Sequence, residues 1–527
     1  MTATGARPER DRTALKGLVL VLLAVLVYSA LHVGFRLLAS SVLGEDDDID
    51  NILVQTLAPG YDAFPRQPPL YNWVLWSVQQ FMGPHIESFL LIKYTALIAT
   101  AGFLYLSAWR VMKDRLFAIL TVESLALIYQ ISWRFHEGFT HEVGAMVAVS
   151  ATLWAALRIV DDDTSREGRL RDFLILGVIA GFGILTEPAY TVFLTSLLIA
   201  ASLQPALRRR LMRGWLLVSL TIALVIASPY LGWLLAEPER LRWLTSVGSY
   251  NLKDATDGLL DALRGPFAYL SPLIVILPLI FPRYLPTAWA DLRRAPASGP
   301  EPDLEQWVLH TALVAFALSI VGALAFAIHG LAVHVLMPLY LTSTIWLFGV
   351  ARRASGGSDL HVRRFTRLAI LIAVIAFCAR MANMFVLDPV CKKCRWGIPY
   401  AALAEEMRAR GFDPNGTIIS NDHELAGNLR SEFPNAHIVT RGYPHFTPEK
   451  ADWSRGSRAY VWGASIPRRH VEAYIAPMLP KGVSITDAVS LTVPWQHLWR
   501  PTGYRTTQWK LLTINDAQAT GRAEEKE

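Results

Sequence analysis

Eleven mostly apolar segments recur along the chain, at 15–39, 86–109, 116–133, 143–159, 173–186, 188–203, 215–235, 268–285, 307–328, 331–350 and 365–386. A helix rising 1.5 Å per residue needs about 20 such residues to cross the hydrocarbon of a bilayer. Inside that hydrocarbon only helices and closed barrels satisfy their own backbone. Helix-length apolar runs therefore define a polytopic α-helical membrane protein with about 11 transmembrane helices, give or take one or two where segments are short and broken by proline. Composition agrees, with 53% hydrophobic residues, 18% charged residues and a mean hydropathy of +0.31. The first run is too long for a signal-peptide core and lacks a small-residue cleavage pattern, so it is expected to stay as an anchor.

Lysine and arginine orient these spans. With the N-terminus cytoplasmic, the inside segments hold 22 Lys and Arg and the outside segments hold 7. This is a strong positive-inside bias. An odd number of spans then divides the chain into a membrane domain, 1–386, and an extracytoplasmic domain, 387–527. The net charge of +6 requires no nucleic acid, because Arg208-Arg209-Arg210 and Arg352-Arg353 lie where anionic lipid headgroups suffice.

Beyond about 395 the pattern changes to a small α/β domain. Helices are expected at Pro399–Arg410 and Glu424–Glu432, and strands at Thr417–Ser420, Ala436–Thr440, Arg458–Trp462, Val483–Val493 and Trp509–Ile514. Asn415-Gly416-Thr417 fits a glycosylation sequon but reads more economically as a turn. Cys391 and Cys394 flank the entry to this domain in an oxidising compartment, and a disulfide is the expected outcome. Cys378, inside the last span, reads as a small core residue.

The outer side gathers the polar chemistry. Asp46, Asp47, Asp48 and Asp50 follow the first span within an outer loop, 40–85, that continues to Gly60-Tyr61 and Arg66-Gln67-Pro68-Pro69-Leu70-Tyr71-Asn72-Trp73. Clustered acids beside a bilayer-length helix need water, a cation or a positive partner. Arg134, His136, Glu137, His141 and Glu142 fall between the third and fourth spans, Glu187 between the fifth and sixth, and His329 and His334 beside the tenth. Each has a bland explanation taken singly: Glu142 can cap a helix, and a lone histidine is usually a satisfied core residue. Their convergence on one face favours a site.

These residues resemble the dolichyl-phosphate-mannose-protein mannosyltransferase superfamily, in particular its bacterial branch that includes the lipid A aminoarabinose transferase. The similarity rests on the acidic pair, the nine residues from Asp46 to Gln55, Gly60-Tyr61 and Pro-Pro-Leu-Tyr, and it spans roughly 15–350. It implies the GT-C fold, placement as a multi-pass protein of the bacterial inner (plasma) membrane, and a catalytic first outer loop. The family's acidic pair falls on Asp46 and Asp47, and a second acidic position on Glu142. Three departures stand out: Gln67 where a basic residue often precedes Pro-Pro, Glu187 where a lysine is common, and His334 where an arginine is common. They imply altered donor recognition, or charge supplied by Arg240, Arg242 or Lys253.

The implied reaction is an inverting transfer of a sugar from a polyprenyl-phosphate donor to an extracytoplasmic acceptor (lipid A, another glycolipid or a polysaccharide). A carboxylate takes the acceptor proton, with Asp46 favoured over Asp47, and positive charge stabilises the departing phosphate. Tyr61, Arg66, Gln67, Tyr71, His136, His141, Arg242 and His334 are expected to bind substrate. Asp46 and Glu142 could hold a divalent cation such as Mg, Mn or Zn. Membrane lipids are the other expected partners. A protein O-glycosyltransferase of the same superfamily, and a non-enzymatic transporter or flippase, are the competing readings. The latter would show acids inside several helices and repeat symmetry.

Overall fold

The computed structural model describes residues 6–61, 67–160, 166–240, 250–328, 336–388, 391, 394–441, 457–480, 482–495 and 505–514, without the side chains of 6–11, 166 and 167. The membrane part contains α1 (Ala6–Ala39), α2 (Asp46–Leu53), α3 (Leu70–Met82), α4 (Ile86–Met112), α5 (Arg115–Glu123), α6 (Tyr129–Ser132), α7 (His141–Ile159), α8 (Arg166–Ile184), α9 (Pro188–Ser202), α10 (Pro205–Leu211) and α11 (Gly214–Ala236). It continues through α12 (Leu252–Leu270), α13 (Leu273–Ile280), α14 (Tyr284–Arg293), α15 (Leu304–Phe326), α16 (Met337–Tyr340), α17 (Ser343–Ala354) and α18 (Asp359–Ala382).

Among the described residues, six helices are long and apolar enough to cross a membrane, or up to eight if each of two bent pairs is one span. The first pair, Arg115–Leu127 with Tyr129–His136, bends by 69° where the sequence reads as a straight third span. The second, α12 with α13, bends by 53° and begins well before the expected start at 268. Pro272 lies between α12 and α13 and cannot donate the helical hydrogen bond. The outer loop is itself structured: α2 carries the acids, and α3 carries Tyr71, Asn72 and Trp73. The backbone amide of Leu70 donates to the carbonyl of Leu185 at 2.9 Å, which pins the start of α3 to the turn between α8 and α9.

The C-terminal domain, expected from the sequence to be the outer one, comprises α19 (Tyr400–Ala409), β1 (Thr417–Ser420), α20 (His423–Glu432), β2 (His437–Thr440), β3 (Arg458–Gly463), α21 (Arg468–Tyr474), β4 (Val489–Pro494) and β5 (Thr506–Ile514). Strand order is β2-β1-β3-β5-β4, with β1 parallel to β2 and β3, and β5 antiparallel to β3 and β4. The anticipated strand from 483 shortens to β4, because Ser484 and Asp487 close a capping box around a single turn first. Cys391 and Cys394 are bonded. Cys378 is exposed, a correction to its reading as a core residue: α18 touches the bundle along one narrow stripe, and Cys378 is off it.

The outer loop and the outer domain share one core. Val42, Ile52, Leu53 and Tyr61 pack with Tyr400, Leu403, Leu425, Leu429 and Ile438. The first outer loop, numbered with the membrane domain, is therefore clamped between the helix bundle and the sheet domain.

Candidate active site

The site is built on the short helix α2. Three acids in its first turn interact favourably with the positive end of the helix dipole. Glu45, just before it, adopts a left-handed φ of 53° and is tied to Arg134 at 2.8 Å. Gly138 allows the 133–140 segment to lie against this start, since a Cβ there would meet the Cβ of Glu45 at 2.5 Å. The acids then face different partners, because a helix turns about 100° per residue.

Asp47 is buried and accepts from Lys93 of α4, whose Nζ lies 2.7 and 2.8 Å from its two oxygens. Burial pushes Asp47 up to about 6, against the opposing pull of Lys93. Asp50 accepts from Asn72 Nδ2 at 2.7 Å, with His141 Nε2 at 3.4 Å. The other ring nitrogen of His141 faces the Pro68 carbonyl at 3.1 Å. Both neighbours of this ring only accept, so the imidazolium satisfies both. Asp48 points the opposite way and accepts from His423 Nδ1 of α20 at 2.9 Å.

Asp46 is different. Among the described residues it makes no hydrogen bond and no ion pair. Burial raises its carboxyl from the ordinary 3.8 to about 8, with the charges of Glu142, Asp50 and Asp47 adding to the rise and His141 opposing it. Glu142 is buried at the head of α7 and accepts from the Thr140 amide at 3.2 Å. Glu187, also buried, is pushed well up by burial and then by the charge of Glu142. Burial pushes the Tyr71 hydroxyl well above its ordinary value, and the charges of Asp47, Asp50, Glu142 and Asp46 add to the rise. The arrangement can hold a proton-accepting carboxylate, half-buried among other acids.

Asp46, Asp47, Glu142, His141 and Tyr71 thus come together. His136 does not join them: its ring nitrogens lie 2.7 Å from the hydroxyls of Tyr28 and Tyr94, and its ring stacks on His32 at 3.8 Å. The short turn Arg134–His136 directs this side chain toward α1 and α4, away from the pocket. Tyr61 is buried in the outer-domain core and donates to the Thr56 carbonyl at 3.1 Å. Gln67 is half-buried and precedes Pro68, whose carbonyl faces His141. Arg66, Arg242 and His334 lie outside the described residues. Of the proposed substitute charges, Arg240 pairs with Glu237 at 2.9 Å and stacks on Trp233, and Lys253 is exposed.

Sequence reasoning passed over Lys93, Asn72 and the role of Asp50. Lys93 did carry a signal, a single cation inside the apolar run 86–109, where a charge is costly unless paired. Among the described residues, no three His, Cys, Asp or Glu side chains are grouped to hold a metal ion. Asp46 and Glu142 offer two carboxylates, and a hard cation would need further oxygens from water or substrate.

Residues 66–233 match the family model for dolichyl-phosphate-mannose-protein mannosyltransferase. The chain is 26% identical over 482 residues to the lipopolysaccharide core galacturonosyltransferase RgtB of Rhizobium johnstonii, covering 89% of this chain and 92% of the relative. It is 25% identical over 504 residues to RgtA of the same organism, covering 92% and 95%. The fold superposes on ArnT from Cupriavidus metallidurans bound to undecaprenyl phosphate with a TM-score of 0.60, at 15% identity, over 94% of this chain and 97% of that one. The apo form of ArnT gives 0.59 at 14% identity. The chain is thus similar to glycosyltransferases along nearly its whole length. In its fold, from the helical bundle through the outer sheet domain, it resembles ArnT.

Proposed function

We propose that this enzyme transfers a sugar with inversion from a polyprenyl-phosphate donor to a glycolipid acceptor of the lipopolysaccharide kind, on the extracytoplasmic side of the inner membrane. The observation that carries this reading is the contrast between Asp46 and Asp47. Asp47 is locked by Lys93, whereas Asp46 keeps a partner-free carboxylate with its acidity shifted toward neutral pH, where a general base works best.

In the reaction, an acceptor hydroxyl oxygen attacks the anomeric carbon while its proton passes to Asp46. The bond from that carbon to the phosphate oxygen breaks, and polyprenyl phosphate leaves with the electron pair. Glu142 and the Tyr71 hydroxyl border the same pocket and bind sugar hydroxyls. Lys93 and His141 are already occupied by Asp47 and Asp50, so charge for the leaving phosphate falls to Arg66, Arg242 or His334. Glu142 and Asp46, with oxygens from water or substrate, would hold a divalent cation, which would supply positive charge toward the phosphate.

Similarity to two lipopolysaccharide core galacturonosyltransferases supports a lipopolysaccharide acceptor, and the undecaprenyl phosphate held by ArnT supports a polyprenyl-phosphate donor. The uneven distribution of Lys and Arg supports a cytoplasmic N-terminus and an outer 387–527 domain. The test is transfer in liposomes from purified polyprenyl-phosphate sugars to lipopolysaccharide core. Lipid-dependent transfer is expected. Transfer from a soluble nucleotide sugar with no lipid donor present would overturn the proposal.

A further inference from the structure

The segment that carries α2, Leu43 to Gln55, is bonded to the outer domain along the side away from Asp46. Leu43 and Asn428 bond reciprocally: the Leu43 amide donates to Asn428 Oδ1 at 2.8 Å, and Asn428 Nδ2 donates to the Leu43 carbonyl at 3.2 Å. Gln55 does the same with the backbone of Ile438 in β2, at 2.8 and 3.1 Å. Asn51 Nδ2 donates to the Gly427 carbonyl at 2.8 Å. A Cβ at Gly427 would stand 2.3 Å from the Asp48 carbonyl oxygen, so α20 approaches α2 more closely than any side chain allows.

Arg430 joins the parts. Its guanidinium is buried and donates to the Asn51 carbonyl, to Asn51 Oδ1 at 3.0 Å and to Gln79 Oε1 of α3 at 2.9 Å. Gln79 Nε2 in turn donates to Asn51 Oδ1 at 2.9 Å. Each of these acceptors is a neutral oxygen. A buried cation held by amides is costly to place, and its planar fork fixes geometry better than a lysine could.

Resting on the proposed glycosyl transfer, we infer that Arg430, with the close approach at Gly427, is a positioning residue: through α20 the outer domain sets where α2 holds Asp46 relative to Glu142. Asp46 has no bond of its own, so its placement is inherited from the helix that carries it. Lys93 holds the inner face at Asp47, and Arg430 holds the outer face at Asn51. Loss of either lets the helix shift. A displacement of about 1 Å in reacting groups costs on the order of 10²-fold in rate.

The test uses full-length enzyme in liposomes with the variants R430M, R430K and G427A, and with R408M as a control. Arg408 lies on α19, stacks on Phe433 and does not touch α2. R430M and G427A are expected to lower kcat per folded enzyme by about 10- to 100-fold with donor KM little changed. R430K should recover part of the loss, and R408M should match wild type. A second readout, independent of turnover, is hydrogen exchange of the 46–53 amides. These should lose protection in R430M while the β1 and β3 amides keep theirs. Unchanged protection of α2 in R430M overturns the inference whatever the enzyme transfers. A lowered Tm with normal kcat per folded enzyme, or a raised donor KM at normal kcat, also overturns it. Wild-type protein that fails with every polyprenyl-phosphate sugar refutes the proposed function, and hydrogen exchange still decides the role of Arg430.

Discussion

Asp47 and Lys93 form an ion pair at 2.7 Å in which both side chains are nearly inaccessible, so two charges adjacent to the pocket cancel before any substrate arrives. The neighbouring carboxylate, Asp46, has no such partner. One residue along the helix separates a structural acid from a candidate base, and substitutions at the two positions should differ accordingly.

Asp46→Asn should lower kcat by about 10²–10⁴-fold, the usual contribution of a general base, with expression preserved and Tm no lower than wild type. Asp47→Asn should instead lower Tm, because it leaves Lys93 buried without its counter-charge. Single-turnover rates measured beside thermal melts distinguish the two. Equal loss of rate at normal Tm in both variants would contradict the division of roles.

Lys93→Met alone should destabilise the protein by about 3–5 kcal/mol, the cost of stranding one partner of a buried pair. Combining it with Asp47→Leu should restore much of that stability, since an apolar pair of similar volume carries no desolvation penalty. Melting curves of the single and double variants close the cycle.

The pH dependence has a defined sign. Asp46 must be ionised to accept a proton, and its folded-state acidity sits at about 8 against an ordinary 3.8. The kcat/KM for transfer should therefore rise with pH through about 8. A group raised in this way is more easily ionised in the unfolded chain, so stability falls as pH climbs from about 4 to about 8. Asp46→Asn, which cannot ionise, should melt higher than wild type at pH 8 and above. An activity profile flat across this range would exclude Asp46 as the base.

Tyr94→Phe removes one of the two hydroxyls on His136, a residue outside the acidic pocket. Leaving a buried ring nitrogen unpaired should cost about 1–3 kcal/mol of stability. The kcat of the folded fraction should stay within a factor of about two, since no reacting group is touched. A large loss of kcat at unchanged Tm would return His136 to the site.

The chemistry of the pocket was legible because Asp46, Asp47 and Tyr71 lie in one short stretch of chain, and Glu142 and His141 open an apolar helix. Lys93 was harder to find, since its meaning depends on which acid it meets across the bundle. His136 was assigned to the pocket from its place between two spans, yet the turn at Arg134–His136 sends its ring toward Tyr28 and Tyr94.

The chain by itself determined the elements: apolar runs long enough for a bilayer, a capped α/β segment after 395, a cysteine pair at its entry, and acids beside the first span. These follow from local periodicity, side-chain type and spacing, which need no partner to be read. Tertiary structure alone decided which carboxylate is paired and which is free, and that Arg430, 379 residues along the chain from its partner Asn51, holds the helix that carries them. Pairing and burial are properties of distance in space, and only the packed fold sets those distances.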